Sequence, residues 1–359
     1  AAISLPANTQ ATGYNFQEIT VAQVSGFVYV DANNDGQRGG GETGINGTTN
    51  PVTIRITGTD FAGNAVNVTQ VTNASGAYSF TGLAPSDGAG YTITEVNEPT
   101  GFFDGRDQNG AGAGNVIAAS AGRAVGETIV VGIVAAGVNL TERNFGELAA
   151  ATLSGFVYVD PNANAIREGS ETAVVPGVTV TLTGTNDLGQ AISCPVDTAA
   201  NGAYSFPVAT STDPLCRTLR PGSYTLTVTP PGGLTVTGAF SGSQGGAGQP
   251  ANTALPGASS IGSVTIGSGN TASNYNFGVQ GQGLSGAVYV DSNGNGSRDV
   301  GEPGIAGVSV TLSGTTAGAQ NVCVVISPSP CTAVTDANGN YEFLNLPASN
   351  GAGYTLTEQ

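Results

Sequence analysis

Histidine, lysine, methionine and tryptophan are absent from the 359 residues. Without histidine there is no Ser-His-Asp or Cys-His machinery and no imidazole for zinc. Without lysine there is no Schiff-base chemistry and no phosphate-loop lysine. Aromatic residues make up 6% of the chain and charged residues 9%. The nine cations are all arginine and face 25 Asp and Glu, for a net charge of −16. Such a surface repels nucleic acid and anionic membranes, so neither is expected as a partner. No stretch of 18 apolar residues occurs, so no helical membrane span is expected within this segment. No charged-then-apolar leader opens the chain. A start at Ala1-Ala2-Ile3 fits signal-peptide removal and fits equally a cut inside a longer protein.

What is present is glycine (56 residues), a normal apolar fraction of 39%, and a motif that occurs three times. Asp31-Ala-Asn33-Asn-Asp35-Gly36-Gln37-Arg-Gly39-Gly-Gly-Glu42 carries oxygen side chains at positions 1, 3, 5 and 12 and glycine at position 6. That is the spacing of a twelve-residue calcium loop, in which alternate residues of a tight turn point oxygens inward and a terminal Glu closes the shell. Asp291, Asn293, Asn295, Gly296 and Glu302 repeat the pattern, with Asp299 adding a carboxylate at position 9. Asp160, Asn162, Asn164, Glu168 and Glu171 repeat it again, except that Ala165 replaces the glycine. Each loop gathers three carboxylates that repel one another without a counter-cation. About one Ca²⁺ per repeat is expected. The competing reading is an Asx-rich turn that needs no metal, and it applies best to the second copy.

The loops mark out repeats. Residues 1–20 read as the closing strands of a preceding or neighbouring repeat, because Tyr14-Asn15-Phe16-Gln17-Glu18 matches Arg143-Asn-Phe-Gly-Glu147 and Tyr275-Asn-Phe-Gly-Val279. Repeat 1 runs over 21–149, repeat 2 over 150–280 and repeat 3 over 281–359. In each, a β-run such as Ser25-Gly-Phe27-Val-Tyr29-Val30 feeds the loop, and an alternating strand such as Val52-Thr-Ile54-Arg-Ile56 follows. Segments 97–128, 185–200 and 230–260 read as variable loops, with a weak strand at Val116-Ile117. Repeat 3 stops at Gln359 without an Asn-Phe-Gly strand. The expected fold is all-β, with one sandwich per repeat. Four cysteines fall in two local pairs, Cys194 with Cys216 and Cys323 with Cys331, expected as disulfides formed in an oxidising compartment; four buried free thiols are the alternative.

The motif order Ser-Gly-x-Val-Tyr-Val-Asp, acidic loop, Gly301-Glu-Pro-Gly-Ile-Ala-Gly-Val308, Asp336-Ala-Asn-Gly-Asn-Tyr341 and closing Asn-Phe-Gly resembles the B-type repeats of serine–aspartate-repeat surface adhesins (SdrD B-like repeats), within the wider collagen-adhesin B-type group. The resemblance implies extracellular, calcium-stiffened Ig-like, prealbumin-like sandwich modules in tandem. It also implies that Gln37, Ile166 and Ser297 offer backbone carbonyls at position 7. Two departures stand out: the Lys–Asn isopeptide staple of many relatives is excluded here, and Ala165 is expected to weaken or distort its site.

The expected function is structural: a calcium-rigidified segment of a cell-surface fibre or stalk, with neighbouring repeats as its partners. A window on a longer repeat chain is the favoured reading. The sharper alternative is that Tyr14, Asn15 and Phe16 of one chain complete the third repeat of the next, head to tail. The other class is an adhesin gripping a host protein or glycan by its variable loops, where Phe102, Phe103 and Arg106 are the best anchors. An enzyme is not expected: Glu95 and Glu358 fall at equivalent strand ends, but repeat 2 has Val228 there, which leaves no shared acid–base pair.

Overall fold

The computed structural model describes residues 3–16, 18–112, 115–118, 127–230, 233–326 and 331–359. They form an all-β chain that divides into two compact units, Ala1–Leu148 and Ala149–Gln359. Among the described residues no helix is long and apolar enough to cross a membrane.

In the first unit the strands Ala65–Val71, Thr53–Asp60, Ser86–Glu95 and Glu127–Gly132 make one antiparallel sheet. The facing sheet is built on an opening strand, Ala22–Val30. It pairs antiparallel with Ala77–Leu83 and parallel with a closing strand, Arg143–Ala149. Period-2 sequence explains the packing: Ile54 and Ile56 on one sheet and Val24, Val28 and Phe145 on the other are all fully buried, while the residues between them face outward. Each such side chain contributes about 1.5–3 kcal/mol on burial.

Repeat 2 opens the second unit with the same plan. Ala191–Asp197, Thr179–Asn186, Gly222–Thr229 and Ser260–Ile266 form one sheet. In the other, the opening strand Thr152–Val159 lies between Ala203–Phe206 and the closing strand Tyr275–Gln280. Repeat 3 carries less. Its opening strand Gln282–Ala287 pairs only with Asn340–Leu346 among the described residues, opposite a three-stranded sheet of Thr332–Val334, Ser309–Thr316 and Ser349–Glu358. Val325 and Ile326, at the end of a short helix Val322–Val325, are buried in the core of repeat 2, so these two repeats share a packed junction.

All three segments read as variable loops contain strands. Ala191–Asp197 adds an edge to its sheet, and Thr235–Ser241 pairs with the closing strand and with Ala254–Pro256. Phe102–Asp104 and Asp107–Asn109 likewise sit beside the first closing strand, and Asp107–Asn109 also pairs with Val116–Ile117. These segments are rich in Gly, Ala and Ser and have low strand propensity of their own. Pairing with a neighbour's backbone decides their conformation. Residues 113, 114, 119–126, 231 and 232 of the two long segments lie outside the described residues.

Both disulfides form as paired in sequence. Cys194–Cys216 ties an edge strand to a short 3-10 turn, and Cys323–Cys331 ties the short helix to the strand after it. Reducing the first, which spans 22 residues, is expected to cost repeat 2 roughly 3 kcal/mol. Urea unfolding with and without reductant measures this, and cysteine-free repeat 1 is the internal control. Equal midpoints for repeat 2 in both conditions would refute the expectation.

Candidate calcium loops and the closing-strand edge

Each opening strand ends in a buried tyrosine or its counterpart and turns directly into its loop. A single antiparallel bridge closes the turn behind it: Tyr29 to Gly44, Tyr158 to Val174 and Tyr289 to Gly304. The first loop aspartate then caps the turn from inside. Oδ2 of Asp31 accepts from Gly36 N–H at 2.8 Å, Oδ2 of Asp291 from Gly296 N–H at 2.8 Å, and Oδ2 of Asp160 from Ala165 N–H at 3.0 Å. The position-3 asparagines accept from position 5: Asn162 Oδ1 from Asn164 N–H and Asn293 Oδ1 from Asn295 N–H, with Asn33 doing the same for Asp35. Position 5 accepts from position 7, whose N–H belongs to Gln37, Ile166 or Ser297, which holds that peptide in the turn. The terminal glutamates fold back: Glu42 and Glu302 each accept from the position-2 and position-9 N–H groups, and Glu171 accepts from Glu168 N–H.

Ala165 does not distort this turn. Its φ of +61° matches +73° at Gly36 and +75° at Gly296. A left-handed alanine costs about 1–2 kcal/mol, and its methyl group needs room. Repeat 2 supplies that room at Gly238, where a side chain would come within 2.6 Å of the Ala165 methyl. In repeat 1 the arrangement is reversed: a methyl on Gly36 would meet Val116 at 2.5 Å and Arg106 at 2.9 Å. The glycine has moved across the contact.

Surroundings set the loops apart. Asp31 and Asp160 are fully buried, each donating its N–H to the closing strand, to Glu147 O and Val279 O respectively. Burial, aided by Glu42, pushes the Asp31 carboxyl up to about 6, against hydrogen bonds from Gly36 and Asp35. Burial likewise raises Glu171 to about 7. Asp160 Oδ1 and Glu171 Oε1 are buried without a hydrogen-bond partner among the described residues, the condition a cation would relieve. Loop 3 is exposed from Asp291 to Gly301, and Glu302 is half-buried. There the Gly296 N–H holds Asp291 below the usual carboxylate range, and the side chains of Asn293 and Asn295 do the same for Asp299. The donor set of all three loops, carboxylates with amide and backbone oxygens, suits calcium.

Sequence reading missed the arginine at position 8 of every loop. Arg38 stacks 3.8 Å over Phe27 and Arg167 4.1 Å over Phe156, each clamping its loop onto the opening strand. Where Ala287 replaces the phenylalanine, Arg298 instead donates to Asn338 O and Asn340 Oδ1. The signal was present as a Phe four residues before each of the first two loops. Also missed were two carboxylate clusters outside the loops, Glu95–Glu98–Glu147 and Asp104–Asp107–Glu127, each with oxygens within 4.8 Å of one another. Burial is the main cause that drives the Glu95, Glu147 and Asp107 carboxyls well above their ordinary range, and neighbouring carboxylates add to it.

The closing strand is docked by a repeated set of contacts. Asn144 Oδ1 accepts from Phe27 N–H at 2.9 Å, and Asn276 Oδ1 accepts from Phe156 N–H at 3.0 Å. Tyr78 and Tyr204 donate their hydroxyls to the carbonyls of Arg143 and Tyr275. Gly26 and Gly155 let those carbonyls approach, since a methyl there would lie 1.8 and 1.7 Å from them. Repeat 3 retains the receiving half, Gly286 and Tyr341, with no closing strand against it among the described residues. At the other end of the sequence, residues 3–16 and 18–20 form no strand; Tyr14 is 60% and Phe16 95% exposed, and Gln17 lies outside the described residues.

Tandem sandwiches with an acidic loop at the end of each opening strand define a repeat-module protein. The chain belongs to the family of SdrD B-like domains, which matches residues 22–145, 151–279 and 282–358. It is 30% identical over 327 residues to serine-aspartate repeat-containing protein F of Staphylococcus epidermidis, covering 91% of this chain and 16% of that protein. It is 29% identical over 341 residues to serine-aspartate repeat-containing protein D of Staphylococcus aureus strain Newman, covering 92% and 22%. The chain therefore spans under a quarter of the length of these relatives. Among solved structures, the major pilin subunit BcpA of Bacillus cereus aligns at 10% identity and a TM-score of 0.25, covering 95% of this chain and 88% of that one.

Proposed function

We infer that the chain is a segment of a cell-surface fibre or stalk, built from tandem sandwiches that calcium stiffens at their loops. It is not an enzyme, and its place is outside the cell, where its two disulfides persist. The observation that carries the reading is the repetition itself: three copies of one module in series, each with the same loop at the same strand end. An adhesive role for the 97–128 segment has weaker support. Phe102 packs against the core of repeat 1 and is half-buried, so it holds the segment down rather than offering an anchor.

The open edge of repeat 3 supports a finer reading, in which a strand of the Tyr-Asn-Phe pattern fills it. With Asn15 in the place of Asn144 and Asn276, its Oδ1 meets Ala287 N–H. The Tyr14 carbonyl meets the Tyr341 hydroxyl across Gly286, and Phe16 enters a groove lined by Ala287, Ala333 and Tyr341 from both sheets. Supplied by a second copy of the chain, such a strand makes an open head-to-tail filament. Electron microscopy of residues 1–359 in millimolar calcium tests this. Filaments that disappear on deletion of residues 1–20 are the expected result. Separate particles no larger than one chain would overturn head-to-tail assembly and leave the stalk reading standing.

A further inference from the structure

We propose that residues 322–326 of repeat 3 are a plug seated in the end of repeat 2, and that the Cys323–Cys331 disulfide locks the plug in place. A small thiol reductant then turns this junction from a rigid joint into a hinge. Both repeats belong to one compact unit. The plug is an insertion into an edge strand. In repeat 2 that strand runs unbroken over Ala191–Asp197, with Ala191 opposite Thr185 and Cys194 opposite Leu182. In repeat 3 Asn321 bridges Thr315, and Cys331 O accepts from Leu312 N–H, so the sequence carries 322–330 where repeat 2 has only Ile192 and Ser193. The Asn321 side chain caps the inserted turn, accepting from Cys323 N–H at 2.9 Å. Val322, 0% exposed, is buried in the core of repeat 3, whereas Val325 and Ile326, 2% and 4% exposed, are buried in the core of repeat 2. The insert is therefore shared between the two sandwiches. Close contacts flank it. A methyl on Gly233 of repeat 2 would lie 1.8 Å from the Ala348 nitrogen of repeat 3, and one on Gly177 would lie 4.0 Å from the Gln320 side chain.

A four-residue helix is too short to hold its shape unaided. The disulfide joins residues 8 apart at the base of the insert and restricts the chain that presents Val325 and Ile326. Cys331 stands at the register position of Cys194, but repeat 3 has no counterpart of the segment that carries Cys216: Asn340–Leu346 leads into Ser349–Glu358 through Pro347 and Ala348 alone. Its bond goes to the insert instead. Exposure makes this bond the one a reductant reaches first, since Cys194 and Cys216 are 1% and 3% exposed whereas Cys323 is half-buried. A thiolate attacks Sγ of Cys323, forms a mixed disulfide and expels the Cys331 thiolate, which takes up the proton the incoming thiol gave up. A second thiol resolves the mixed disulfide, leaving two cysteine thiols and one disulfide of the reductant. Freed at its base, the insert regains conformational entropy that seating must then overcome.

Residual dipolar couplings on the whole chain, at fixed calcium, test the joint. Repeats 2 and 3 of the parent chain are expected to share one alignment tensor, and C323S/C331S, with Cys194–Cys216 intact, to give each repeat its own. V325S/I326S leaves the core residues of repeat 3 in place and is expected to separate the tensors with the disulfide still formed. A shared tensor there, or separate tensors in the parent chain, would overturn the plug. Linkage supplies a second test that does not need C323S/C331S to fold: a bond that favours seating is itself favoured by seating to the same degree. In a glutathione titration, Cys323–Cys331 of V325S/I326S is therefore expected to be reduced with an equilibrium constant at least about fivefold larger than in the parent chain. A shared tensor in folded C323S/C331S, or an unchanged constant in V325S/I326S, would overturn the lock.

Discussion

Removing calcium from residues 1–359 is expected to lower the midpoint of thermal unfolding by roughly 3–20 °C relative to protein in 10 mM free calcium. Extracellular loops of this type bind with Kd of about 10⁻⁴–10⁻³ M. At 10 mM the ion is in roughly 10- to 100-fold excess over Kd, which stabilises a domain by about 1.4–2.7 kcal/mol. Each kcal/mol moves the midpoint by about 4–8 °C in domains of 60–100 residues and by about 2–4 °C above 150 residues, and repeats 1 and 2 fall between these sizes. The effect should reach past the loops in repeats 1 and 2, because Asp31 and Asp160 are tied through their N–H groups to the closing strands. In repeat 3 the loop is exposed and has no such tie among the described residues, so its ion should order the loop with less effect on the sandwich. Scanning calorimetry with calcium and with chelator, and magnesium as a control, measures the shift. Coincident traces would mean that the loops are hydrogen-bonded turns and no more.

A single methyl group at Gly155 is expected to destabilise repeat 2 by roughly 3 kcal/mol or more, whereas the same change at Gly286 should leave the folded chain nearly as stable as before. The methyl of Gly155→Ala would stand 1.7 Å from the Tyr275 carbonyl. Two paired backbones would have to separate, a cost at or above the upper end for overpacking a core. At Gly286 the methyl meets only the outer end of Tyr341, which is half-buried and can swing toward the open edge. Gly286→Ala should nonetheless stop an incoming strand as the methyl at Gly155 does. Denaturant unfolding reads the first effect, and light scattering with microscopy reads the second. Filaments of normal length from Gly286→Ala would remove strand docking from consideration, and a parent-like unfolding curve for Gly155→Ala would show that the parallel pairing is looser than described.

Much of this architecture was legible in the sequence because its signals are local. Alternation in Val52–Ile56 and Val178–Leu182, the Asp-x-Asn-x-Asp/Asn spacing and the paired cysteines each specify geometry within a few residues, and repetition multiplied them. The strands at Thr235–Ser241 and Ala191–Asp197 were not legible, since they exist through the partner they pair with. The ease with which Ala165 keeps a glycine's turn depends on Gly238, 73 residues away in sequence, so no local reading finds it.

By itself, the sequence determined three modules, their loops, their cross-links and the absence of imidazole and lysine side chains. Tertiary structure alone decided which carboxylates are buried. Asp31 and Asp291 share a motif and differ in environment, because among the described residues only the first lies under a closing strand. Glu95 and Glu147 lie 52 residues apart and look like ordinary strand-end acids until the sheets bring them together. The physical reason is that burial and charge proximity are properties of a three-dimensional neighbourhood, which a chain acquires only when its strands pair.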